Sequence, residues 1–212
     1  MPSKTKKRPN AFLKAYFEKY AWQTVTTEDF VDYLKKNLLE PNDIEFNVDE
    51  WIYETGLPQN CVKITSDRLE NMKNLAEKIN RNPSTATSVL GAMKRGDFIT
   101  QEWLTFIRAL NNDTPVSTLQ AIDQQLKFAS ESNPALKSAW YQLAVKAGYK
   151  GIRPDMKAYL LKIGRRWYIE GIYQELHDSG GDDLAWAKEV FNEAQHNYHF
   201  VSRSTIQEIL NK

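Results

Sequence analysis

Asn133-Pro134-Ala135-Leu136-Lys137-Ser138-Ala139-Trp140-Tyr141-Gln142-Leu143 is a helix with its start signal written into it. The Asn133 side chain can accept from an orphan N–H of a first turn, and Pro134 falls where a helix has no use for an N–H. Leu136, Trp140 and Leu143 then recur at four and three residues, one apolar face of a 3.6-residue period. The same grammar repeats outward. Thr100 opens a segment carrying Trp103, Leu104, Ile107 and Leu110, and Thr114-Pro115 opens one carrying Leu119, Ile122, Leu126 and Phe128. Ser66 precedes Leu69, Met72, Leu75, Ala76 and Ile79, while Thr26 before Asp29 and Asn47 before Glu50 are further cap signals. Downstream, Arg153-Pro154 starts a helix that stops at Gly164, and segments near 165–178, 183–197 and 203–211 follow.

Helices of about three turns, short polar connections and no alternating strand pattern predict an all-α protein. The expected architecture is antiparallel helices stacked in series, an α–α superhelix of armadillo or HEAT type, with no repeat signature that names a tetratricopeptide or ankyrin unit. Only 9 Gly and 8 Pro in 212 residues argue against a turn-rich β-sandwich. Residues 1–10 read as a basic tail, 11–54 as a first helical portion, 55–65 as a linker through Gly56-Leu57-Pro58, and 66–212 as the longer array.

Charge and composition exclude several classes. Lys plus Arg is 28 and Asp plus Glu 27, so no global field draws nucleic acid or an anionic membrane. The local run Lys4, Lys6, Lys7 and Arg8 reads as a solvated tail rather than a phosphate-contacting arm. No apolar run approaches the ~18 residues of a membrane span, and no signal segment opens the chain. A single cysteine, Cys61, excludes an internal disulfide and fits a reducing, cytoplasmic setting; it has no recognisable histidine partner for nucleophilic chemistry. Glu193, His196 and His199 stand three apart on one helical face, a spacing that can bind zinc but that lacks a fourth ligand. Trp103, Trp140 and Trp186 fall on apolar stripes and read as core anchors. There is no Gly-rich phosphate loop or dinucleotide fingerprint.

Several stretches, in order and spacing, resemble the end of a zinc aminopeptidase of the leukotriene-A4-hydrolase and aminopeptidase-B type. They are Phe12 to Tyr20, Thr26 to Phe30, Trp51 to Pro58, Asp97 to Leu104, Asn133 to Trp140, Gly164 to Tyr168 and His199 to Ser202. In that family a saddle-like domain and a thermolysin-like zinc domain precede a C-terminal array of helices, and the cleft lies between the three. The resemblance implies that 11–54 are the closing helices of the zinc domain and that 66–212 are the C-terminal domain. No His-Glu-x-x-His occurs, and the three histidines, His177, His196 and His199, all lie late in the chain. The zinc ligands, the general base and the catalytic tyrosine are therefore expected upstream. No catalytic residue, metal ligand or cofactor is expected on this chain, and no peptidase activity from it alone. The implied partners are the upstream catalytic domain of the same polypeptide and a short peptide.

In the family a Gly-Arg-x-Lys-Phe segment holds the substrate carboxylate, and Gly164-Arg165-Arg166-Trp167-Tyr168 falls on it. The resemblance thus nominates Arg165, and secondarily Arg166, as substrate-binding. Trp167 stands at the family's lysine and Glu170-Gly171 at its Arg-Pro, which weakens the carboxylate site; the plain alternative is surface ion pairing of Arg165 and Arg166 with Glu170 or Asp155. No epoxide hydrolase activity is implied. A second functional reading is a free-standing helical scaffold that binds a partner along a concave face. With the zinc domain absent, Phe12, Tyr16, Phe30 and Leu34 are expected to be exposed and to promote self-association.

Overall fold

The computed structural model describes residues 9–91 and 93–212, so the basic run Lys4 to Arg8 lies outside the described residues. All regular structure among the described residues is helical, and the chain divides into two compact units at Ile64 and Thr65.

The first unit holds α1 (Pro9–Lys19), α2 (Thr27–Leu34) and α3 (Val48–Tyr53), with a π-turn at Lys35–Leu39 and a 3-10 turn at Glu40–Asn42. Thr26 caps α2 in a full capping box: its Oγ1 accepts from the Asp29 N–H at 3.1 Å and the Asp29 carboxylate accepts from the Thr26 N–H at 3.4 Å. Asn47 Oδ1 likewise accepts from the Glu50 N–H at the start of α3. The buried apolar cluster is small, Val31, Leu39 and Val48, with Phe30, Leu34 and Ile52 packed against it. Here the expected exposure is corrected. Phe12 is buried and Tyr16, Phe30 and Leu34 are half-buried, because Phe12 and Tyr16, four apart on α1, turn onto Tyr33 at 5.6 and 5.5 Å between ring centroids. The exposed apolar side chains of this unit instead include Leu13 and Phe17 one residue along, with Trp22, Trp51, Tyr53 and Leu57.

The second unit contains α4 (Asp67–Arg81), α5 (Ala86–Gly91), α6 (Thr100–Ala109), α7 (Val116–Leu126), α8 (Pro134–Lys146), α9 (Arg153–Lys162), α10 (Arg166–Ser179), α11 (Gly181–Ala194) and α12 (Phe200–Leu210). The packing alternates: α4 on α6, α6 on α8, α8 on α10 and α10 on α12 form one layer, while α5 packs on α7 and α9 on α11 in the other. Two layers of sequentially stacked helices are the arrangement of an α–α superhelix. One continuous apolar core runs from Met72 to Leu210. Within it Phe128 sits between Trp103 and Trp140, with ring centroids 5.6 and 5.2 Å away, tying the loop after α7 to α6 and α8. Trp186 differs from the other two: it is half-buried beneath the Arg153 guanidinium, 5.1 Å from the ring.

The start signals divide by chemistry. Asn133 Oδ1 accepts from the Ala135 N–H at 3.0 Å and Ser66 Oγ accepts from the Leu69 N–H at 3.4 Å, both as caps. Thr100 and Thr114 do not cap. Thr100 is already helical, and the N–H of Ile99 before it is taken by the Glu102 carboxylate at 2.7 Å. Thr114 turns its hydroxyl back to donate to the Asn111 carbonyl at 2.7 Å, which leaves Pro115 as the residue flanking α7.

Polar groups inside the array are joined to the frame. Arg68 of α4 grips the buried carboxylate of Glu102 on α6. Arg95 pairs with Glu131 while its guanidinium lies between the rings of Trp103 and Phe128, at 4.8 and 4.9 Å. Tyr198 donates to the Leu160 carbonyl at 2.8 Å, and its oxygen stands 3.2 Å from that of Tyr173. Burial pushes the Tyr198 phenol up to about 12, so both hydroxyls stay protonated at neutral pH.

Candidate ligand groove and the turn before α10

The turn nominated by sequence lies at the start of α10. Arg165 takes extended backbone as the flanking residue, and no side chain caps the N–H groups of the first turn, which also carries no acidic residue. Such an end attracts anions. The Arg165 guanidinium is exposed and lies over the Tyr168 ring at 5.4 Å, with no ion pair among the described residues. Arg166 is paired with Glu170 at 3.6 Å, the plain alternative weighed for it. Gly164 is needed by close approach: a Cβ there would stand 3.0 Å from the Asn197 carbonyl oxygen and 3.2 Å from the Tyr198 ring.

Beside this turn, Trp167 projects 80% exposed onto the rim of a groove of about 890 Å³. The groove runs over α6, α8 and α10, all of one layer. Its depth follows from residue size: α8 presents Ala135, Ser138 and Ala139, and α10 presents Gly171, whose missing Cβ leaves space for the Gln142 amide. The walls are polar with apolar patches from Leu104, Ile107 and Leu143.

The charges of the groove are mostly neutralised within the chain. Lys146 is paired with Glu175 at 2.9 Å, and Glu170 with Arg166. Arg108, in the last turn of α6, is the exception: it is exposed, and its guanidinium makes no hydrogen bond or ion pair among the described residues. Sequence reasoning did not single out Arg108. The signal was present as Gln101, Leu104 and Arg108 at helical spacing, but it becomes a groove wall only when α8 and α10 are laid alongside.

The other candidates come apart. Glu193 pairs with Lys157 at 2.7 Å, and His199 turns back to cap α12, its Nδ1 accepting from the Val201 N–H at 3.3 Å. His196 lies within a 3-10 turn, Gln195–Asn197, after the end of α11, and His199 flanks α12, so the even helical spacing of Glu193, His196 and His199 does not survive. Among the described residues no group of three or more His, Cys, Asp or Glu is placed to hold a metal ion, so the described residues do not fit a zinc site. Cys61 is a free, half-buried thiol after α3, and no described helix is long and apolar enough to cross a membrane.

Fold and groove together define the class: an all-α, two-layer helical array that presents a ligand-sized groove on one layer. The family model described as leukotriene A4 hydrolase, C-terminal, matches residues 98–210, more than half of the chain, and the chain belongs to that family. It is 25% identical over 207 residues to leucine aminopeptidase 2 of Ajellomyces capsulatus, covering 94% of this chain and 32% of that protein. It is 22% identical over 171 residues to leukotriene A-4 hydrolase of Xenopus laevis, covering 79% and 28% respectively. The native leukotriene A4 hydrolase structure from Saccharomyces cerevisiae shares the fold at a TM-score of 0.77 and 19% identity, over 95% of this chain and 35% of that one. The chain thus spans about a third of the length of these relatives.

Proposed function

We propose that this chain is the C-terminal helical part of a zinc metallo-aminopeptidase that removes N-terminal residues from short peptides. In this reading the second unit closes the active-site cleft. The first unit is the end of the catalytic domain, and Arg165 anchors the carboxylate of a short substrate. In this reading the zinc and the groups that activate water belong to residues upstream, as in the family whose C-terminal part this chain matches. A cytoplasmic setting suits the unpaired Cys61.

The observation that carries this reading is the family match together with the aminopeptidase names among the relatives. The turn before α10 supports the anchoring role. An unpaired guanidinium beside an uncapped helix start is chemistry suited to a carboxylate, although Trp167 supplies no second cation. The exposed Leu13, Phe17, Trp22 and Trp51 of the first unit are the surface expected to pack on the upstream domain.

The test is turnover of an amino-acyl fluorogenic substrate, with zinc, by this chain and by the product of the full upstream reading frame. Activity only in the longer product, with a tenfold or greater rise in KM for a tripeptide on Arg165→Ala, is the expected outcome. Activity in neither product favours the scaffold reading, and activity in this chain alone overturns both. Sedimentation equilibrium adds a second check: this chain should self-associate through its first unit, and Phe17→Ser with Trp22→Ser should return it to monomer.

A further inference from the structure

The Arg165 turn accounts for a short ligand but leaves the groove beside it without a use. From Gln101 to Arg108 on α6, and from Trp167 to Gln174 on α10, the lining spans eight residues, about 10 Å from first to last at the rise of an α-helix. Along α8 it runs from Ala135 to Lys146, about 16 Å. An extended peptide advances about 3.3 Å per residue, so the groove matches three to five residues. Its aromatic residues, the exposed Trp167 and the half-buried Tyr168, directly follow the turn that carries Arg165. Among the described residues its one uncompensated charge is the Arg108 guanidinium, since Lys146 and Glu170 are already paired. The amides of Gln101 and Asn112 on the wall make no side-chain hydrogen bond among the described residues and are available to a peptide backbone.

We propose that the groove over α6, α8 and α10 binds the C-terminal segment of peptides longer than those the Arg165 turn accommodates, with Trp167 packing on the segment and Arg108 holding its terminal carboxylate. The inference rests on the reading that the ligands are peptides. The carboxylate is chosen over a cation or a neutral end because a lone guanidinium on an otherwise charge-balanced wall is complementary to one negative charge. Arg108 differs from Arg165 in standing on the wall of this groove, within reach of a segment lying along it. Peptide length then decides which guanidinium is used: Arg165 for short ligands and Arg108 for those that pass Trp167.

The experiment is direct binding to the 212-residue chain, which needs no catalytic activity. The probes are an N-terminally dansylated pentapeptide with a free carboxylate and the same peptide as its C-terminal amide, followed by fluorescence anisotropy at low and high salt. The acid is expected to bind at least tenfold more tightly than the amide at low salt, with the difference shrinking at high salt. Arg108→Gln should bring the two within twofold, Arg165→Gln should leave the preference in place, and Trp167→Ala should weaken both peptides together. Equal binding of acid and amide overturns the proposal. So does a preference that survives Arg108→Gln, or one lost in Arg165→Gln, which would return the carboxylate to the turn. Binding of neither peptide overturns it in favour of a seam covered by the upstream domain. Failure here leaves aminopeptidase turnover by the longer product untouched, so the two readings fail separately.

Discussion

Glu102 is nearly inaccessible, yet it is charged and serves two masters: its carboxylate takes the Arg68 guanidinium of α4 and the Ile99 N–H that precedes α6. The hydrogen bond from Arg68, with the one from Ile99, holds its carboxyl below the usual carboxylate range. A group depressed in the folded state stabilises above its unfolded value, about 4.3, and loses that contribution as pH falls through the lower folded value. Glu102→Gln should therefore lower the melting temperature at pH 7, and the gap to the parent should close as the pH is taken well below about 4.3. Circular dichroism melts across pH check this; a gap that persists at low pH would mean that shape, not charge, is what Glu102 supplies. Gly164 makes a second residue-scale case. Its substitution by alanine crowds the Asn197 carbonyl and Tyr198, and should cost about 1–3 kcal/mol by urea unfolding without altering helix content. The pattern of letters located Gly164 as a helix stop, but the reason for a glycine lies 33 residues away, at Asn197.

Helix starts were legible where the capping side chain acts locally. Asn133, Ser66, Thr26 and Asn47 all accept from N–H groups two or three residues ahead. Thr100 and Thr114 carried the same letters and do something else, because neighbouring groups, the Glu102 carboxylate and the Pro115 ring, decide where those helices begin. Asn133 also reaches beyond its own helix, its Nδ2 donating to Thr100 Oγ1 at 3.1 Å and so joining α8 to α6. Asn133→Ala should then cost more than a cap alone, about 2 kcal/mol from the lost cap and the lost bond. Asn133→Asp, which keeps the acceptor and removes the donor, should recover about half of that in urea titrations. Equal losses in the two variants would assign the whole effect to the bridge between helices.

The two units differ in what holds them. The second has one core from Met72 to Leu210 with Trp103 and Trp140 almost wholly inaccessible, whereas the first has three buried residues in its main cluster and a shell of aromatic rings. Apolar burial is the main favourable term in folding, so the first unit should melt at lower temperature. Scanning calorimetry is expected to show two transitions, and Trp140→Ala, at about 3–5 kcal/mol, should lower only the upper one. Limited proteolysis should cut first between α3 and α4 and leave a stable helical fragment beginning near residue 65. One cooperative transition that Trp140→Ala moves as a whole would show that the units fold together.

The sequence by itself determined that the chain is helical, where several helices begin, which faces are apolar, and to which family it belongs. Periodicity and capping are local, and the family motifs survive as ordered letters. Only the tertiary structure decided that Phe12 turns inward while Leu13 and Phe17 face out, that His199 caps a helix instead of joining a metal cluster, and that Arg108 and Trp167 line one groove. The physical reason is that a helical stripe records what a helix buries but not which helix it lies beside. The alternation that sets α6, α8 and α10 side by side comes from packing between residues far apart in the chain, and the groove exists only in that alignment.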